Sequence, residues 1–107
     1  MMEEQADLCP EVEKTFELIG KRWTGLIIYV LSSGPKRFSE INSLIPDLSK
    51  RVLTERMKEL EEHGIVLRQV IPERPIRTVY LLTKRGSELG KILGPISQWA
   101  SSWMKEK

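Results

Sequence analysis

Apolar residues recur every three or four positions over most of this chain, and clusters of glycine, serine and proline interrupt them where elements end. Pro10 suits the first position of a helix, and Val12, Phe16 and Ile19 follow at helical spacing as far as Gly20, which predicts a first helix. Lys21 to Leu31 predicts a second, with Trp23, Leu26, Ile27, Val30 and Leu31 on one broad inward face and Ser32-Ser33-Gly34-Pro35 as its stop. A shorter third helix is expected from Lys36 to Ile45, with Phe38, Ile41, Leu44 and Ile45 as its stripe and Pro46 as its breaker. The turn residues Pro46-Asp47-Leu48 then lead into Ser49, an N-cap for a fourth helix that runs to Gly64 and turns Leu53, Met57 and Leu60 inward. After Gly64 the pattern changes. Ile65 to Ile71 and Thr78 to Leu82 are rich in β-branched and aromatic residues and flank Pro72-Glu73-Arg74-Pro75-Ile76-Arg77, which predicts a two-stranded hairpin with a basic, proline-stiffened tip. Thr83 caps a last helix carrying Leu89, Ile92, Leu93, Ile96, Trp99 and Trp103, with a kink or restart at Gly94-Pro95. Residues 1–8 are acidic and without period and read as a flexible arm, so the 107 residues make one domain.

Charge adds direction to this outline. A helix has positive polarity at its start and negative at its end, so acids belong early and bases late. The fourth helix reverses that order: Lys50 and Arg51 open it, and Glu59, Glu61 and Glu62 close it. Its pairs Arg51 with Glu55 and Lys58 with Glu62 also run base before acid, the weaker orientation at spacing four. An anionic partner at the start of the helix accounts for the reversal. The whole chain leans the same way, because five of its 15 acids precede the first base, Lys14, and leave 17 bases against 10 acids in the remainder. The acidic N-terminus has neither the basic nor the apolar region of a secretory signal, and the run from Leu26 to Leu31 is too short to span a bilayer, so a cytoplasmic protein without membrane contact is expected. One cysteine, Cys9, excludes an internal disulfide, and there is no Cys and His cluster for a metal. No phosphate-binding glycine loop or nucleophile motif occurs, and His63 sits where a helix cap belongs, so no catalytic residue, no cofactor and no enzyme activity are expected.

The order helix, helix, helix-turn-helix, hairpin, terminal helix is that of a winged helix-turn-helix, a mostly α member of the α+β class. The residues resemble the HxlR-type family of bacterial transcriptional regulators, near the MarR group, from Cys9 to about Trp103. The resemblance is carried by Cys9-Pro10, Glu13-Lys14, the segment from Leu18 to Trp23, and the segment from Arg37 to Ile41. Leu53 to Glu61, His63 to Val66, Arg77 to Tyr80, Leu82-Thr83, Gly86 and Trp99 complete it. It implies a homodimeric DNA-binding regulator, commonly a repressor, whose terminal helices form the dimer interface. It further implies that a cysteine at the position of Cys9 senses oxidants or electrophiles in some members.

Each candidate residue has a plain reading beside the functional one. A solvated polar face is the plain reading of the fourth helix; against it stand the reversed charge order and the preceding turn, which favour insertion into a DNA major groove. Ser49, Lys50, Arg51, Thr54 and Lys58 are then the expected contacts, with Arg51 as guanine reader and Glu55 either accepting from cytosine or holding Arg51. Arg56 lies nearer the docked side. Arg74 and Arg77 on the hairpin tip are either solvated or reach phosphates and the minor groove, and Lys36, Arg37 and Ser39 are candidate phosphate anchors. Trp99 and Trp103 either fold back on the chain or, with Phe16 and Ile96, line the interface of a twofold dimer that spaces two recognition helices by about 34 Å along a pseudo-palindromic operator. Cys9 is either an inert small hydrophobe or a thiol activated by the helix start and opposed by Asp7, Glu11 and Glu13. Two other functions fit the same pattern: a winged helix that binds another protein, and a regulator that answers to a small molecule at the dimer interface.

Overall fold

The computed structural model describes residues 8–105; the expected acidic arm, Leu8 apart, falls outside them. Along the chain come α1 (Pro10–Gly20), α2 (Thr24–Leu31), β1 (Lys36–Arg37), α3 (Phe38–Leu44) and α4 (Lys50–Glu62). They are followed by β2 (Val66–Ile71), β3 (Arg77–Leu82), α5 (Lys84–Leu93) and α6 (Ile96–Trp103). β2 and β3 form the hairpin, in register from Val66 opposite Leu82 to Ile71 opposite Arg77. β1 lies on the other side of β3, with Lys36 opposite Tyr80 and Arg37 opposite Val79. The sheet is thus three-stranded and antiparallel in the order β1-β3-β2.

The core forms where α2, α3 and α4 meet over this sheet. Ile27, Ile28 and Leu31 of α2 join Ile41, Leu53, Met57, Leu60, Ile65, Val66 and Leu93 in one cluster. Leu53 and Leu60 are wholly buried and Met57 nearly so, as the helical spacing requires. Burial of a side chain of this size contributes about 1.5–3 kcal/mol, which seats α4 firmly by one face. Local signals fix both of its ends. The Ser49 hydroxyl accepts from the Val52 N–H at 3.1 Å. At the other end Ile65 N–H donates to Leu60 C=O at 2.9 Å and Gly64 N–H to Glu61 C=O at 3.0 Å, around Gly64 at φ +71°. That is the glycine-terminated close of a helix, and a side chain in this left-handed conformation would be strained.

Three elements differ from the periodicity. The second helix starts at Thr24, not Lys21, because Trp23 adopts a left-handed conformation at φ 79° and ends the preceding turn. With that start the inward face is Thr24, Ile27, Ile28 and Leu31, while Leu26 is left exposed. The third helix starts at Phe38: Lys36 and Arg37 are taken into β1, which pairs with β3, and the Arg37 N–H donates to the Glu40 carboxylate. Leu44, expected on its apolar stripe, is exposed, and Leu48 from the turn fills the core instead at 1% exposure. The hairpin therefore extends to three strands. The expected restart at Gly94-Pro95 is present, and it separates α5 from α6.

The start of α5 is locked to the end of α4. Thr83 Oγ1 accepts from Gly86 N–H at 3.0 Å and donates to Gly64 C=O at 2.6 Å, and Arg85 donates to His63 C=O at 2.8 Å. Gly86 lies so close to Ile65 that a Cβ there would overlap the Ile65 carbonyl. Only glycine permits this approach of helix to strand.

Candidate nucleic-acid interface

α4 places its cations on the side away from the core. Lys50, Arg51, Thr54, Glu55 and Lys58 are all exposed, with Arg51, Glu55 and Lys58 across the helix from Leu53, Met57 and Leu60 and Lys50 at its first position. No acid occupies the first turn of α4. Arg51 extends into solvent with 84% of its side chain exposed, and its contact with Glu55 is a loose 3.7 Å pair. An exposed pair of this kind contributes little, about 0–1 kcal/mol, so Arg51 stays available to a stronger anionic acceptor. The other expected pair, Lys58 with Glu62, does not form; the described ion pairs of α4 are those of Arg51, Arg56 and Glu59. Thr54 uses its hydroxyl proton on Lys50 C=O at 2.8 Å, which leaves its oxygen as an acceptor facing outward. Ser49 is committed to capping.

Arg56 belongs to the docked side. Its Nε donates to Arg22 C=O at 2.9 Å, and Lys21 Nζ reaches Glu59 at 2.7 Å. These two contacts bind the α1–α2 turn to the back of α4, in the turn where Arg22 stacks over the Trp23 ring at 4.5 Å. The acidic second half of α4 is thereby partly used inside the fold. Nothing in the periodicity marks this joint, since its partners are more than thirty positions apart.

The wing assembles a second group of cations. Arg37 from β1, Arg74 from the hairpin loop and Arg77 from β3 line one recess of about 210 Å³, together with Glu73, Pro75, Ile76 and Thr78. Three arginines on one recess concentrate positive charge there, offset by the single carboxylate of Glu73. Lys36 and Ser39 border a separate shallow recess with Glu40, Ser43 and Leu44. Glu40 is held by its own job, accepting from Arg37 N–H at 2.7 Å. The charge sequence foresaw the arginines but not Glu73, whose carboxylate pairs with Arg77 at 3.2 Å. In β3, burial chiefly and Glu61 secondarily raise the Tyr80 phenol above its usual range, with Arg68 pulling the other way.

The remaining candidates are on α1, its N-cap and α6. Phe16, Ile96, Trp99 and Trp103 are 66, 54, 58 and 74% exposed, and neither α1 nor α6 has a single buried residue. An apolar cleft of about 510 Å³ opens beside them between α2 and the α5–α6 bend, lined by Leu26, Tyr29, Leu93 and Ile96. Cys9 is exposed at the N-cap of α1. Among the described residues no helix is long and apolar enough to cross a membrane, and no three His, Cys, Asp or Glu side chains are grouped to hold a metal ion.

This architecture is shared by known proteins. The HTH-type transcriptional regulator YodB of Bacillus subtilis is 49% identical over 96 residues, covering 90% of this chain and 86% of that one. The uncharacterised HTH-type regulator YvaP of the same organism is 51% identical over 100 residues, 94% of this chain and 93% of its own. The reduced form of YodB superposes with a TM-score of 0.80 at 48% identity over 91% of this chain and 95% of its own; diamide-treated and quinone-bound forms of YodB match as well. The redox regulator HypR in its oxidised form gives a TM-score of 0.81 at 36% identity, over 92% of this chain and 99% of its own. The model of the HxlR-like helix-turn-helix family matches residues 18–107. With its helix-turn-helix, its wing and these relatives, the chain is a transcriptional regulator, not an enzyme, and it belongs to the HxlR-like helix-turn-helix family.

Proposed function

We propose that the protein is a cytoplasmic repressor that binds a pseudo-palindromic DNA operator as a homodimer. The observation that carries this reading is the division of α4: its core face is buried at Leu53, Met57 and Leu60, and its basic first half projects. Lys50, Arg51, Thr54, Glu55 and Lys58 enter the major groove, with Ser49 holding the helix start in place. Lys36, Arg37, Ser39, Arg74 and Arg77 take the flanking phosphates. The second copy covers the exposed apolar faces of α1 and α6. Of the segment 86–107, α5 gives Gly86, Gly90 and Leu93 to its own core, so Ile92 and α6 supply the interface.

Regulation falls to Cys9, on an exposed helix start next to the interface helix α1. YodB, solved in diamide-treated and quinone-bound forms, and HypR, solved oxidised and reduced, support this assignment. With no second cysteine in the chain, an oxidant joins Cys9 to its counterpart in the partner or to a small thiol. The test is binding to host genomic DNA fragments before and after diamide. Reduced protein is expected to retain a defined set of fragments, diamide to change that binding, and Cys9→Ser to bind identically in both conditions. Absence of any retained fragment contradicts the DNA reading; a diamide response that persists in Cys9→Ser removes the cysteine from it.

A further inference from the structure

We propose that Glu73 is a built-in competitor for DNA phosphate, occupying on Arg77 the place that a backbone phosphate of bound DNA takes; this rests on the DNA-binding reading above. The Glu73–Arg77 pair is poorly matched for a carboxylate and a guanidinium. Both Glu73 oxygens approach the same nitrogen, Arg77 Nη2, at 3.2 and 3.4 Å. The favoured arrangement places two oxygens on two nitrogens of one guanidinium edge. Arg77 Nε, the other donor of that edge, is enclosed and without an acceptor. A buried N–H left unpaired is costly, so the arginine remains open to a better partner. Glu73 is confined by its backbone, whose N–H donates to Ile71 C=O at 2.8 Å in the hairpin loop.

The surroundings define that partner as an anion with more than one oxygen. Arg37 and Arg74 line the same recess, and Glu73 is its sole acid. Arg74 is exposed and has no carboxylate partner among the described residues. A phosphate entering the recess accepts from Nε and Nη2 of Arg77 together and faces two further guanidinium groups, while Glu73 swings out to water. In free protein the carboxylate shields the wing from stray anions. On DNA it holds back non-specific affinity until α4 supplies enough contact to displace it.

The experiment is a double-mutant cycle on binding to a duplex of random sequence, read by fluorescence anisotropy across a salt series, with thermal unfolding as a check that each variant folds. Glu73→Gln is expected to bind roughly three- to ten-fold more tightly than wild type at 150 mM salt. Its dependence of log K on log salt is expected to keep the wild-type slope, because the same phosphate contact to Arg77 forms in both proteins. In an Arg77→Gln background the same change is expected to give no gain. A gain that persists without Arg77 reflects general repulsion of DNA by an acid and overturns the proposal. Equal binding by wild type and Glu73→Gln overturns it too and leaves the DNA reading intact, whereas failure of the wild type to bind any duplex removes both.

Discussion

Replacing Trp99 and Trp103 together by serine is expected to turn the protein into a folded monomer and to lower operator affinity by about 10²- to 10⁴-fold, the range lost when two linked contacts become one. The two indoles leave most of their surface in water and line α6, which has no buried residue, so the core does not depend on them. A twofold interface would bury four of them. At about 1.5–3 kcal/mol for each large apolar side chain, that amounts to roughly 6–12 kcal/mol, comparable with the ~8 kcal/mol of a micromolar association. Light scattering coupled to gel filtration reads the mass, and circular dichroism confirms that the helices persist. A double variant that remains dimeric and binds as before would show that the interface lies elsewhere.

The second large effect is expected from Arg51→Ala. A guanidinium that forks onto a guanine is worth about 1–3 kcal/mol of discrimination, so affinity for a selected operator should fall roughly 5- to 150-fold while affinity for random duplex changes little. The variant should fold normally, because the Arg51 side chain is 84% exposed and its ion pair with Glu55 is a loose 3.7 Å. Arg74→Ala gives the contrast. On the wing it is expected to weaken operator and random duplex alike, as loss of a phosphate contact does. If Arg51→Ala also lowers both equally, Arg51 anchors the backbone and base reading passes to its neighbours on α4.

How far the sequence discloses this molecule depends on whether a signal is local. α4 is legible to within two residues because Ser49, the spacing of Leu53, Met57 and Leu60, and Gly64 are all encoded within one stretch. The restart before α6 is likewise written in Gly94-Pro95. β1 is not legible, since two residues have no period and pair with Tyr80 and Val79 more than forty positions away. The left-handed turn at Trp23 has no local mark either, as a bulky side chain rarely adopts it. That turn set the phase of α2, where nearly every residue is apolar and the inward face passed from Leu26 to Ile28. Leu48 shows the same limit: it sits in a motif of turn residues, and its burial is decided by the helices around it. At the candidate interface the exposed cations follow from composition and phase. The Lys21–Glu59 and Arg56–Arg22 joint does not, because it depends on chain segments brought together by folding, and the Glu73–Arg77 pair, only four positions apart, depends on the conformation of the hairpin loop.

Binding of the DNA backbone and grooves by the basic half of α4 and the arginine-lined wing is tested by the affinity of wild-type protein for duplex DNA as a function of salt. Log K is expected to fall linearly with log salt, losing about 10³- to 10⁵-fold between roughly 50 and 200 mM, as six to ten phosphate contacts release their counterions. An affinity that does not change with salt, or no binding to any duplex at 50 mM, would contradict the account.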